Sequence, residues 1–561
     1  VVAKSTRRKR RNAGSEFAGL KSTDREVKAK EIWAFDTEDE NGVVKQISCT
    51  DGTRFFHFTD RDRFIEWLTV NFKHTVIMAA CNLEYDLISV FAHRFDQVQL
   101  RLKNGGLSMV SARLRGSKVL FYDTMNHEPN VSVKRMGERL GLPKLEMDLS
   151  GWDYVDRDAL IVQRYCTQMQ ERYNKLGANW NATLPSSALD LFRRGYLPFA
   201  VQRPADTALR FFFQGYYGGR VECFNVAPQM GRIFYIDINS MYPHVMQRSY
   251  PNPNFFRETR DVALDRFGIL QARVKVPKNC YIPPLAFRGD RLIFPVGVFS
   301  GTWTYHEIQA LLSIGGEVLK VHRAVEFPNE CYPFKRYVED LYAVKVSAPD
   351  ELERTSAKLF LNSLYGKMGE RVALVQLMMA DQVPEDKTAI VYGDYAYVDM
   401  GEKFPGHTNA VWAIYTTAYA RILLWQKMNY IRDKGGTVLY CDTDSIMYQA
   451  DEPLHLESTE LGGWKLEGEY TFAHFLQPKL YCLRDDKEII VKAKGVPKNV
   501  AIRYFDEGAA TFTAPLRLRS VLKKKLIGNL WVDKKKERHA TYTKRRTLDG
   551  GGTLPLILRR A

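Results

Sequence analysis

Residues 235–243 read YIDINSMYP and residues 440–448 read YCDTDSIMY. The first string closes an apolar run, RIFYIDI, which reads as a buried strand that turns into a helix at Ser240 and leaves Asp237 at the strand end. The second divides into TVLYC and SIMYQ with Asp442 and Asp444 between them, the pattern of a hairpin carrying carboxylates at its turn. Carboxylates on adjacent strand ends can converge on a pair of divalent cations, as in-line phosphoryl transfer requires. An Asp-rich segment on its own is commonly just a turn. The two strings together make that bland reading weak.

Between them lies KLFLNSLYG, residues 358–366, in an amphipathic helical stretch. Lys358, Asn362 and Tyr365 recur at i, i+4 and i+7 and so share one face, which can address one ligand. The ordered set of three strings resembles the A, B and C motifs of family B DNA polymerases. That resemblance implies an α/β and α+β multidomain fold, with a DnaQ/RNase H-like exonuclease unit followed by a right-hand polymerase of palm, fingers and thumb. It also implies two Mg2+ (or Mn2+) ions held by Asp237, Ile238 and Asp444, with Asp442 and Lys358 completing the catalytic set. Lys358 and Lys345 would neutralise triphosphate oxygens. Asn362, Tyr365 and Gly366 would line the nascent base pair beside Ser240 and Met241, with Gly366 letting the chain approach the substrate closely. Tyr242 would lie under the sugar, where its ring leaves no room for a 2′ hydroxyl.

Three further strings extend the resemblance. GYYGGR at 215–220 matches the Tyr-x-Gly-Gly motif between exonuclease and polymerase units. Tyr216, Gly218, Gly219 and Arg220 are then expected on DNA, the glycines for close approach to phosphates and Arg220 for charge. PKLY at 478–481 matches a Lys-x-Tyr motif, with Lys479 and Tyr481 expected at the primer terminus, and KAKGVP follows at 492–497.

Residues 367–408 interrupt the chain after motif B with alternating segments, VALVQLMM and TAIVYGDYAYVDM, that read as hairpin strands. Protein-primed family B polymerases of phages and linear plasmids carry an insertion there that encloses DNA and supports processivity and strand displacement. A second insertion, 251–336, falls where those enzymes dock a terminal protein that supplies the priming hydroxyl. In texture the chain is most similar to tectivirus-type phage polymerases. Expected partners are therefore primer-template DNA, deoxynucleoside triphosphates and a terminal protein. The protein itself is expected to act as a monomer in the host cytoplasm, away from membranes.

The N-terminal unit, residues 31–184, resembles a DnaQ-like 3′ to 5′ exonuclease. FDTE supplies Asp36 and Glu38, NLEYD supplies Asn82, Tyr85 and Asp86, and LPKLEMD supplies Lys144. Asp36, Glu38 and Asp86 are the expected metal ligands of this unit. Its third motif should read Tyr-x-x-x-Asp, and the expected helix offers YCTQM, with Tyr165 but Met169 in the place of an aspartate. A thioether is a poor magnesium ligand, so proofreading is expected to be weak or lost. YVDRD, with Tyr154 and Asp158, has the right spacing but lies before that helix.

Composition agrees with a nucleic-acid enzyme. A 561-residue chain with formal net charge +16 and 45% hydrophobic residues is a folded basic protein whose natural partner is a polyanion. No run long and apolar enough for a membrane span occurs, and the basic start (Lys4, Arg7 to Arg11) leads into polar sequence. The eight cysteines are scattered without a CxxC pair, as in a reducing compartment. The remaining expected divisions are a basic arm over 1–30, a linker around LPSSALDLFRRGYLP at 184–198, palm and fingers over 185–500, and a small basic thumb over 501–561. Lys523 to Lys525 and Lys534 to Lys536 would face the phosphate backbone in that thumb.

Overall fold

The computed structural model of the chain describes residues 19–40, 43–102, 109–392, 394–515, 531–538 and 541–559. The first unit is a seven-stranded sheet in the order Phe55–Phe58, Val43–Thr50, Glu31–Glu40, Val76–Ala80, Val119–Asp123, Met109–Leu114, Val98–Leu102. The three middle strands run parallel to one another. Val76–Ala80 is buried along its whole length because helices cover both faces, which is why it reads as an unbroken apolar run. Helix Leu83–Phe91 packs on one face, while helix Asp153–Lys175 carries Ile161, Val162, Cys166 and Met169 into the core on the other.

The second unit is built on an antiparallel seven-stranded sheet in the order Val221–Cys223, Thr437–Asp442, Ser445–Gln449, Gln229–Ile238, Trp464–Gln477, Leu480–Arg484, Ile489–Ala493. Motifs A and C are therefore neighbours, with Asp237 paired to Ser445 across the sheet. Helix Ala410–Asp433 is buried on nearly every side, as befits a helix enclosed by other elements. The motif B helix, Glu351–Met368, starts at Asp350, whose side chain accepts the Glu353 N–H and so satisfies one orphan donor of the first turn.

Residues 184–198 are not a linker. Helix Leu184–Gly195 is capped by Thr183 and carries Pro185 in its first turn, where a proline costs nothing. Leu184, Ala188, Leu189, Leu191 and Phe192 bury one face, so Pro185 marks a helix start rather than a hinge. One core runs without a break from Ala34 and Met169 through Phe192 to Phe360 and Trp412, joining the two units.

The 251–336 insertion contributes four strands of a five-stranded sheet, Arg257–Thr259, Glu317–Phe327, Phe267–Val276 and Val296–Thr304. The 367–408 insertion forms the expected hairpins, with Tyr395–Lys403 between Val372–Met379 and Ala389–Tyr392. The C-terminal stretch departs from the expected single thumb. Helix Lys498–Glu507 and the hairpin Ala509–Pro515 with Trp531–Glu537, bearing Lys534 to Lys536, form one small body. Residues 541–559 then return to the main sheet, and Ile557–Arg559 becomes the fifth strand of the insertion sheet, parallel to Val296–Val298. The reason is burial: Tyr542 and Arg545 are enclosed against Cys223 and Phe224. Lys523 to Lys525 and the basic residues of 1–18 lie outside the described residues. Residues 19–30 are not a free arm, since Gly19–Leu20 pairs with Val201–Gln202 and the Lys28 N–H donates to Asn179 Oδ1.

Candidate active site

A cleft of about 1410 Å3 opens between the main sheet and the motif B helix. Asp237, Ile238, Asn239, Ser240, Met241, Tyr242 and Asp444 line one wall, and Lys345, Lys358, Asn362 and Tyr365 line the other. Three strings far apart in sequence therefore meet around one volume. Gly366 is exposed and has open space around it.

Local backbone geometry aims these groups. Ser240 (φ 54°), Thr443 (φ 66°) and Lys479 (φ 62°) are left-handed non-glycine residues, each next to a functional side chain. Such conformations are costly and persist only where the surroundings impose them. Ser240 ends the motif A strand and starts helix Met241–Met246, so that Asp237 stays on the strand end. Thr443 turns the hairpin, with its N–H held by the Arg220 carbonyl at 2.7 Å.

Electrostatics divides the three carboxylates. Burial, then Asp444 and Glu467, push Asp237 up to about 7 against the pull of Lys465 and Lys358. Burial also raises Asp444. Asp442 instead faces Lys479, whose Nζ donates to its Oδ1 at 2.9 Å and its Oδ2 at 2.8 Å. Opposed, destabilised carboxylates at Asp237 and Asp444 are what a divalent cation would relieve, so the donor set fits Mg2+ or Mn2+. Lys345 Nζ donates to Ser240 Oγ at 3.4 Å, and burial followed by Lys358 and Arg354 lowers its pKa, a crowding that a polyanion would relieve. Tyr242 and Tyr365 stack with centroids 4.1 Å apart.

Of the Tyr-x-Gly-Gly residues, Gly218 is exposed, whereas Gly219 is pressed against the hairpin turn: a Cβ there would lie 2.7 Å from the Thr443 side chain. Gly219 thus serves protein packing. Tyr216 is half-buried, and a Cβ on Gly369 would lie 2.8 Å from its ring. Arg220 does not offer charge to DNA. It enters the strand Val221–Cys223 with its side chain pointing inward, fully buried, and donates to Glu222 Oε2 at 2.7 Å and to the Pro283 carbonyl at 2.8 Å. Tyr481 is likewise buried, packed against Tyr440 and Phe475. Sequence reasoning missed Arg354, which lies one turn before Lys358 on the same helix and could have been found by the same periodicity. It also missed Lys465 and Glu467, which strand pairing alone brings beside Asp237.

In the first unit, a cavity of about 470 Å3 is lined by Asp36, Glu38, Tyr85, Asp86, Lys144 and Asp158 among others. Ligand oxygens of Asp36, Glu38 and Asp158 all lie within 4.8 Å of one another. Among the described residues Asp158 Oδ1 is buried without a hydrogen-bond partner, so this donor set also fits a divalent cation. Burial, with Asp86, Asp158 and Glu38, raises Asp36; burial raises Glu38 to about 7. Asp86 accepts from Thr37 Oγ1 at 2.8 Å. Lys144 ion-pairs with Asp158 and sits over the Tyr154 ring, and the Tyr85 hydroxyl donates to Asp39. Asn82, left-handed at φ 64°, starts the helix that presents Asp86 and gives its N–H to Asp123.

The expected third motif is therefore misplaced by eleven residues. Helix Asp153–Lys175 begins early enough to include Tyr154 and Asp158, and those two reach the carboxylates. Tyr165 lies elsewhere, donating to Glu128 Oε2 at 2.5 Å, and Met169 is 2% exposed in the core between the units. Met169 occupies no ligand position, so the ground for expecting lost proofreading disappears.

Comparison with known proteins places the fold first. The chain matches the phi29 DNA polymerase, solved in complex with primer-template DNA and incoming nucleotides, with a TM-score of 0.71 at 16% identity, covering 91% of this chain and 100% of that one. The fold is accordingly an exonuclease-type unit followed by a right-hand polymerase unit. The model of the family described as DNA polymerase type B, organellar and viral, matches residues 118–406. This chain belongs to that family. A DNA-directed DNA polymerase of Enterobacteria phage PRD1 is 24% identical over 460 residues, 78% of this chain and 79% of the relative. A probable DNA polymerase of Podospora anserina is 25% identical over 437 residues, and the match spans 67% of this chain but 36% of the relative's length.

Proposed function

We propose that this chain is a DNA-directed DNA polymerase of the protein-primed branch, extending a primer on a DNA template by nucleotidyl transfer and proofreading the product 3′ to 5′. The observation that carries this is the convergence of Asp237 and Asp444 with Lys358 and Lys345 across one cleft. Two divalent cations at Asp237, Ile238 and Asp444 would supply an activated 3′ hydroxyl and a stabilised leaving pyrophosphate. Lys358, Lys345 and Arg354 bind and orient the triphosphate. The stacked Tyr242 and Tyr365 form the floor beneath the sugar and base, where a 2′ hydroxyl would collide with Tyr242. Lys479 orients Asp442 and supports the primer terminus.

Proofreading follows from Asp36, Glu38 and Asp158 around one volume, with Asp86 behind them and Lys144 near the phosphate to be cleaved. The 251–336 sheet is the terminal-protein dock, and the 367–408 hairpins enclose DNA and separate strands. Extension of an end-labelled primer on a single-stranded circle, with Mg2+ and four deoxynucleotides, tests the proposal. Products longer than one circle support polymerase and displacement together. Arrest at one circle removes displacement, and no extension at all favours a DNA-binding scaffold. Synthesis on an unprimed circle without any terminal protein would favour a primer-independent enzyme.

A further inference from the structure

We propose that Arg545, in the C-terminal segment, is a positioning residue for the Asp442-Thr443-Asp444 turn, acting through Glu222 and Arg220. The inference rests on the polymerase function proposed above. Strand Val221–Cys223 is the outer strand of the main sheet and pairs with the strand that ends in Asp442, placing Val221 opposite Asp442 and Glu222 opposite Cys441. Just before it, the Arg220 carbonyl accepts the Thr443 N–H at 2.7 Å, and Gly219 leaves room for the Thr443 side chain. The register of this edge strand therefore sets the position of the left-handed residue between two carboxylates.

An edge strand leaves one row of backbone groups unpaired, and a strand as short as this one gains register from whatever holds that row. The C-terminal segment holds it. The Tyr542 hydroxyl accepts the Cys223 N–H at 3.0 Å, Lys544 Nζ donates to the Val221 carbonyl at 2.9 Å, and Thr553 Oγ1 donates to the Cys223 carbonyl at 3.0 Å. Arg545 is at the centre of these contacts. Its Nε donates to Thr553 Oγ1 at 2.9 Å and its Nη2 to the Tyr281 carbonyl at 3.0 Å, while its guanidinium lies over the rings of Phe224 and Tyr281. Arg545 Nη1 is 3.9 Å from Glu222 Oε1, and Glu222 Oε2 accepts from Arg220.

Arg220, Glu222 and Arg545 are each fully buried, two cations to one anion. Desolvating such ions costs several kcal/mol apiece, and well-packed apolar side chains would fill the same volume at no such cost. What a chain of buried ions supplies and apolar packing does not is a penalty on any register that would separate the charges. Here the register is read out at Thr443. The C-terminal segment is thus part of the polymerase centre rather than of the small basic body that precedes it.

The test compares the full-length protein with Arg545→Met and Arg545→Lys. Expected for Arg545→Met is a fall in kcat for primer extension of about tenfold or more, with the nucleotide KM and primer-template Kd each within about threefold. Amide exchange in a peptide spanning 438–446 should quicken by about tenfold, while peptides around Asp36 and Asp86 and exonuclease activity on a single-stranded oligonucleotide stay unchanged. Arg545→Lys, which keeps the charge, should recover part of the loss. Faster exchange throughout the protein together with lost exonuclease activity would make Arg545 a general stability residue and overturn the proposal, as would an unchanged kcat and unchanged exchange at 438–446. A wild-type chain that extends no primer would instead refute the polymerase function itself, and the exchange result would still report on the turn.

Discussion

Lys479 Nζ spans both carboxylate oxygens of Asp442, at 2.9 and 2.8 Å, and so separates this acid from the other two in the polymerase cleft. Asp442 is held by a hydrogen-bonded ammonium, whereas burial raises both Asp237 and Asp444, and Asp444 raises Asp237 further against the weaker pull of Lys465 and Lys358. Replacing Asp444 by Asn should abolish synthesis by about a thousandfold or more, about 4 kcal/mol of barrier. Lys479→Met should cost less, on the order of a hundredfold, because it removes an orienting charge rather than a cation ligand. Single-turnover extension of a labelled primer measures both; equal losses would show that Asp442 and Asp444 share one role.

Asp158, and not Met169, lies with Asp36 and Glu38, so the proposed proofreading rests on Asp158. Asp158→Ala should reduce degradation of a labelled single strand to background, whereas Met169→Leu should leave it within about twofold, since a volume-conserving core change costs less than about 1.5 kcal/mol and touches no ligand. Loss in Met169→Leu with retained activity in Asp158→Ala would reverse the assignment.

Asp237 and Glu38 both titrate near 7, above their ordinary carboxylate values. A raised folded-state value means that the native protein keeps a proton that the unfolded chain releases near pH 4. The stabilisation from each group is thus complete below that pH and is lost as pH rises towards 7. Metal-free protein should accordingly melt at lower temperature at pH 8 than at pH 5.5 as far as these two groups contribute. Mg2+ competes with those protons, so the rise in Tm on adding Mg2+ should be larger at pH 8 than at pH 6. Calorimetry with and without a chelator gives the comparison, and equal increments at both pH values would count against the assigned ligands.

Tyr242 stacks on Tyr365 in the wall of the cleft, where the proposed function puts the nucleotide sugar. Tyr242→Val should weaken discrimination against ribonucleotides by about a hundredfold while leaving deoxynucleotide incorporation much less affected. The ratio of kcat/KM for the two substrates reports it; an unchanged ratio would assign the gate to another residue.

Deleting the hairpins 374–400 should leave filling of a short gap intact and stop synthesis at the first duplex block. Their expected work is enclosing DNA rather than forming the cleft. Gap filling and displacement on one template, resolved by product length, separate the two.

Local order made much of this protein legible. A strand that ends in Asp237, a hairpin turn at Asp442 and Asp444, and a helix face bearing Lys358, Asn362 and Tyr365 are each set within fewer than ten residues, by alternation and by the helical repeat. Arg220 was misread because its burial depends on Glu222, Pro283 and the returning C-terminal segment, none of which is visible locally. Helix Leu184–Gly195 was misread because a proline such as Pro185 suits a linker and a first helical turn equally well.

The third exonuclease motif shows where sequence stops. Tyr154/Asp158 and Tyr165/Met169 have the same spacing and lie eleven residues apart on one helix. Eleven residues make almost exactly three helical turns, so both pairs project from the same face, separated only by about 16 Å along the axis. Periodicity cannot choose between positions related by whole turns. The choice was made by where the sheet bearing Asp36 and Glu38 docks along the helix, and that is a property of tertiary packing alone.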